Sequence, residues 1–147
     1  MTMRILQPPE WARPRGYSNG IIVSSGRLVF VAGQIGWNAS AEFESDDFVA
    51  QTAQALRNIV AVLAQAEARP DHIARMTWYV TDRAEYLRRG AEIGRVYREV
   101  IGNHYPVMTA VEVSALMESQ AKVEIEVTAV VPNAGDRDEP PLNNTVL

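Results

Sequence analysis

The sequence contains no cysteine, which excludes disulfides, thiolate nucleophiles and Cys-ligated zinc or iron–sulfur centres. Histidine is almost as scarce. His72 and His104 are the two in 147 residues, and their unrelated settings give a histidine-built metal cluster little support. Lysine occurs once, at Lys122, on a stretch that also carries Glu124 and Glu126. Carboxylates nearby keep an amine protonated, so Schiff-base chemistry is not expected. No apolar run reaches membrane-spanning length. The first twenty residues hold Pro8, Pro9, Pro14 and several charges instead of the apolar centre of a secretion signal. There is no basic run, and the formal net charge is −4, so neither nucleic acid nor an anionic membrane is expected as a partner. Phosphate-binding glycine loops, G-x-S-x-G and H-E-x-x-H are also missing. The expectation is a soluble, cytoplasmic protein.

What is present is a globular composition, 47% hydrophobic and 22% charged. It suits one domain over residues 1–132. The tail 133–147, polar and proline-containing, is expected to be loosely ordered. Met3–Gln7 reads as a short edge strand stopped by Pro8 and Pro9. Gly20–Ser24 and Arg27–Ile35 read as two strands of a hairpin turning at Ser25–Gly26. The second is apolar on both faces through Leu28–Ala32, so helices or another subunit should cover both. Gly33 there suggests a bulge or a close backbone approach to a ligand.

Ser45 is placed to cap a helix whose stripe runs Phe48, Thr52, Ala55, Leu56, Ile59, Leu63 and Ala66. Ile73–Thr81 reads as a central strand. Asp82 with Glu85 then starts a second helix, with the stripe Tyr86, Leu87, Ile93, Tyr97, Val100 and Ile101, ended by Gly102–Asn103. Two further strands, Val107–Val113 and Lys122–Val131, flank a polar turn. The last alternates cleanly, with Val123, Ile125, Val127 and Ala129 on one face and Lys122, Glu124, Glu126 and Thr128 on the other. The order β-β-α-β-α-β-β predicts a two-layer α+β domain, a mixed sheet with two helices on one face. The semi-polar second face, with Thr77 and Tyr79, suggests completion by association into a closed homo-oligomer.

Taken singly, the suggestive positions are Tyr17, Gly33, Gln34, Tyr105, Pro106 and Glu124, and each has an ordinary structural reading. Taken in order, RGYSNG, LVFVAGQIG, MTWYVTD, VYREV, YPVMTAVEV and KVEIEVTAVV resemble the RidA (YjgF/YER057c/UK114) family from about Arg15 to Val131. The resemblance implies a chorismate-mutase-like fold, a homotrimer and clefts between subunits that hold a small molecule. It also implies hydrolysis of reactive enamines and imines with no metal or organic cofactor. Carried over residue by residue, the family tyrosine matches Tyr17, although Gly16 replaces a proline before it. The glutamate proposed to position the attacking water matches Glu124, and the cleft-lining glycine matches Gly33.

The largest departure is at the family's substrate-binding arginine, whose position here is Met108, between Val107 and Thr109. A guanidinium holds a carboxylate by two parallel hydrogen bonds, and a thioether offers nothing comparable. Gly94 stands where the second helix often has asparagine. Arg13 and Arg15 could supply a relocated charge, although surface arginines are the plainer reading of both. Met108 suggests a more apolar cleft for a larger or less acidic ligand, or it is simple packing. Two functions follow. One is a hydrolase of imines or enamines other than simple 2-imino acids, using Glu124 and Tyr17, with Gly33, Val107, Met108, Thr109 and Arg15 binding substrate. The other is a non-catalytic trimer that binds a small metabolite or regulates a partner.

Overall fold

The computed structural model describes residues 3–136 of the chain. Nine regular elements follow in order: β1 (Met3–Leu6), β2 (Gly20–Val23), β3 (Arg27–Ile35), α1 (Phe48–Ala64), β4 (Ile73–Val80), α2 (Arg83–Arg88), α3 (Gly90–Val100), β5 (Val107–Glu112) and β6 (Val123–Val131). The expected tail falls outside the described residues beyond Asp136. Before that point Ala134–Asp136 makes one short 3-10 turn.

The main sheet has the order β3-β6-β4-β5. β6 runs antiparallel to both of its neighbours, and β5 runs parallel to β4, with Met76 opposite Met108 and Trp78 opposite Ala110. A parallel pair needs a crossover, and α2 and α3 supply it. The sheet is therefore mixed and the fold is α+β, as the strand and helix periods predicted.

The expected hairpin between the second and third strands does not form. β2 pairs with β1 instead, Met3 opposite Val23 and Leu6 opposite Gly20, while β3 pairs with β6. The reversal between β2 and β3 sends the chain from one sheet into another. Gly26 has φ +128, and a Cβ there would run into Val130 Cγ1 and lie 2.9 Å from the Val131 carbonyl. Glycine is needed at that position because the backbone passes directly over the end of β6.

The alternation of β6 holds. Val123, Ile125, Val127 and Ala129 are buried, and they meet Ala55, Leu56, Ile59 and Leu63 of α1 and Met76, Trp78 and Val80 of β4. Burying each such aliphatic side chain contributes about 1.5–3 kcal/mol, so this layer supplies most of the fold's cohesion. The other face of β3 is open in the single chain: Leu28 is 61% and Phe30 71% exposed. Cover on both sides, expected from the sequence, is thus present on the helix side alone within one copy.

Two helix details differ from expectation. α1 is capped by Asp47, whose Oδ2 accepts the Ala50 N–H at 3.0 Å, while Ser45 Oγ accepts the Asp47 N–H at 3.0 Å. The cap lies two residues late because Phe48 is the first residue the core buries. The second helix breaks at Arg89, with φ −98 and ψ 21. Gly90 weakens helix continuity there, and the Arg89 guanidinium is held by Asp47 at 2.6 Å, Glu92 at 2.8 Å and Glu85 at 3.2 Å. Asp82 caps α2 by accepting the Glu85 N–H at 3.0 Å. Gly102, at φ +95, ends α3 as predicted.

Candidate functional site

The segment before β2 is fastened to the start of β5. The Ser18 N–H donates to the Pro106 carbonyl at 3.0 Å, and Ser18 Oγ donates to the Tyr105 carbonyl at 2.6 Å. Ser18 also bridges Val107 in parallel register. These two hydrogen bonds, one of them across 87 residues of sequence, hold Arg15, Gly16 and Tyr17 against the edge of the sheet. Gly16 has φ +77, which a glycine accepts in place of the proline that the resemblance led one to expect.

Beneath this segment lies a cavity of about 490 Å³ on the helix side of the sheet. Its size is ordinary for a small-molecule site. The sheet contributes Trp78 and Met108, the loop contributes Arg15 and Tyr17, and the helices contribute Tyr86, Ile93, Gly94, Tyr97 and Arg98. Tyr105 completes the wall, stacked on Tyr97 with ring centroids 5.7 Å apart and planes 15° apart.

The Tyr97 hydroxyl donates to the His104 carbonyl at 2.5 Å. Burial, with Tyr105 beside it, pushes the Tyr97 phenol well above its ordinary range, and burial does the same to Tyr86. Both phenols therefore stay neutral. Among the described residues, no Asp or Glu lines the cavity. The indole N–H of Trp78 is buried without a hydrogen-bond partner among the described residues.

Glu124 lies elsewhere. Its strand partner is Tyr79, and its neighbour on the same face, Glu126, accepts a hydrogen bond from the Tyr79 hydroxyl at 2.8 Å. That bond raises the Tyr79 pKa and keeps its phenol a donor. These side chains occupy the open face, opposite the helices. Gly33 sits in the irregularity between Val31 and Gln34, and a Cβ there would run into Glu124 Oε1. The Glu124 carboxylate rests on bare backbone and has no hydrogen-bond partner among the described residues.

The residues singled out from sequence thus fall into two groups. Arg15, Tyr17 and Met108 line the helix-side cavity, while Glu124 and Gly33 meet on the far face. Val107 and Thr109 flank Met108 on β5 without lining the cavity, and Thr109 lies opposite Thr77. One chain does not bring Glu124 and Tyr17 to one small ligand. Sequence reasoning missed Arg98, whose signal was its spacing, since it lies four residues after Gly94 and so on the same helix face. Tyr97, part of the predicted helix stripe, and Trp78 of the central strand also line the cavity. Among the described residues, no three His, Asp or Glu side chains cluster as a metal ion would require, and no helix is long and apolar enough to cross a membrane.

A family model described as Endoribonuclease L-PSP matches residues 10–131. Protein DfrA of Myxococcus xanthus is 34% identical over 125 residues, 84% of this chain and 90% of that protein. The RutC family protein y4sK of Sinorhizobium fredii is 37% identical over 111 residues, 75% of this chain and 82% of that one. Among solved structures, a Rid family protein of unknown function from Yersinia pestis, YyfB, superposes with a TM-score of 0.79. It is 32% identical, and the match covers 89% of this chain and all of that one. Rv2704 of Mycobacterium tuberculosis, of the YjgF/YER057c/UK114 family, is 40% identical with a TM-score of 0.59, over 79% of this chain and 87% of the other.

Proposed function

The chain belongs to the Rid (YjgF/YER057c/UK114) family, and on that premise we propose that it hydrolyses reactive imines or enamines other than simple 2-imino acids. Water adds across the C=N bond, the carbinolamine expels its nitrogen as ammonia, and a carbonyl compound remains. An enamine first takes a proton at carbon to become the imine. The observation that carries this reading is the Glu124 carboxylate, laid over Gly33 with both oxygens unengaged among the described residues. A carboxylate in that state can hold a water and accept its proton as the new C–O bond forms.

The cavity with Tyr17 and Met108 lies on the other face, so the working site is read as a cleft shared between copies. One copy gives the cavity and another gives Glu124. The exposed Leu28 and Phe30 support such an association, proposed to be a homotrimer working in the cytoplasm. Met108 supports a substrate outside the simple 2-imino acids, because a thioether cannot clamp a small carboxylate. The same residue favours a second reading, a trimer that binds a small metabolite without turnover. RNA cleavage is not proposed, since a chain of net charge −4 has no basic run to follow a phosphate backbone.

The test is a coupled assay in which an amino-acid oxidase or amine oxidase releases fresh imines and semicarbazide traps what survives. The protein should accelerate imine loss, and Glu124→Gln should lower that acceleration by about 10²-fold or more. Undiminished turnover in both Glu124→Gln and Glu124→Ala would remove the water-positioning role.

A further inference from the structure

We propose that Arg98 is the anion-binding residue of the helix-side cavity, and that the cavity takes an organic carboxylate bearing an aromatic group. This rests on the preceding reading only in taking the cavity as the substrate half of the site. Arg98 stands one helical turn beyond Gly94 on α3, and both line the cavity. A Cβ at Gly94 would lie 3.2 Å from Arg98 Nη1, so the guanidinium folds across the bare backbone of that glycine. Any larger residue at 94 would contest this space.

The charge there is uncompensated. Arg89 and Arg69 are each neutralised by carboxylates, at 2.6–3.2 Å and 3.0 Å respectively. Arg98 makes no hydrogen bond or ion pair among the described residues. The Tyr86 and Tyr97 phenols are held neutral, and no acid among the described residues lines the space. A cationic fork beside a cavity without anions is matched by a carboxylate from outside.

The remainder of the wall sets the ligand's other end. Trp78, Tyr86, Tyr97 and Tyr105 present ring faces and edges, and Met108 and Ile93 fill between them. Aromatic walls favour a flat apolar group in offset or edge-on contact. Arg15 lies at the same cavity from the loop side and is a second, weaker cation for the same group.

Calorimetric titration with three unreactive probes tests this: 3-phenylpropanoate, propanoate and 3-phenylpropan-1-ol. The aromatic acid should bind about tenfold or more tightly than either of the others. Arg98→Met should weaken the aromatic acid about tenfold and leave the alcohol unchanged, and Arg98→Lys should recover part of the loss, since a lysine keeps the charge but not the fork. Arg98 is exposed, so its variants are expected to fold. Equal binding of the acid by wild type and Arg98→Met overturns the anion role, and equal binding of propanoate and 3-phenylpropanoate overturns the aromatic subsite. Because binding needs no turnover, the outcome is separate from that of the hydrolase reading. A protein that binds the acid through Arg98 yet hydrolyses nothing keeps this inference and loses the other.

Discussion

His72 is 9% exposed, and its Nδ1 accepts the Arg69 backbone N–H at 2.9 Å, a bond that requires the neutral ring. Burial lowers its pKa below 6.5, with the positive charges of Arg69 and His104 acting in the same direction and Asp71 opposing. The unfolded chain therefore binds a proton near pH 6.5 that the folded chain resists. This contribution to stability is complete above about pH 6.5 and declines as pH falls below it. The urea midpoint should drop between pH 7.5 and pH 5.5. In His72→Asn, whose carbonyl can accept the same N–H without titrating, the drop should be smaller. An equal drop in both proteins would assign the pH effect to other groups. On the functional side, Glu124 and Arg98 have no hydrogen-bond partner or ion pair among the described residues, one lying over Gly33 and the other over Gly94.

Among the elements, α1 buries one face from Phe48 to Leu63 and begins at a cap with two duties. Asp47 accepts the Ala50 N–H and also pairs with Arg89 at the α2–α3 junction. The Arg89 hydrogen bond lowers the Asp47 carboxyl pKa, so the cap stays charged. Removing such a cap costs about 1 kcal/mol. In a domain of this size that corresponds to about 2–4 °C, so Asp47→Ala should melt a few degrees lower by calorimetry. Asp46→Ala, outside the cap, should not. β6 was legible in the sequence because a two-residue period survives in a strand with one buried face. The β2–β3 hairpin was misread because Ser25–Gly26 is a local signal, whereas the partner of β3 lies a hundred residues away in β6. The break at Arg89 was hidden because the apolar stripe continues across it. The two groups of candidate residues lie on opposite faces of the sheet, which no linear spacing between distant segments records. Arg98 was legible only through its spacing from Gly94, which puts the two on one helix face but does not show that a cavity lies beside them.

For the whole molecule the decisive surface is the outer face of β3. Leu28 and Phe30 stand exposed beside the strand that carries Glu124. If copies close over that face as proposed, light scattering on the eluted protein should give three times the chain mass. Phe30→Glu should then shift the protein toward monomers and lose imine hydrolysis, with the helix-side cavity still binding 3-phenylpropanoate. A wild-type monomer that retained full hydrolysis would rule out the shared cleft.

The sheet order has a further consequence, for the newborn chain. β3 and β4 never touch as neighbouring strands, because β6 is inserted between them and bonds to both. Among the described residues, the strand that joins them is the last in the sequence. Until residues 123–131 are available, the apolar edges of β3 and β4 face water unpaired, as ready templates for the wrong partner. Residues 123–131 are the shared partner of both strands, so a chain cut short before them keeps β3 and β4 as two unjoined halves instead of losing one edge of the sheet.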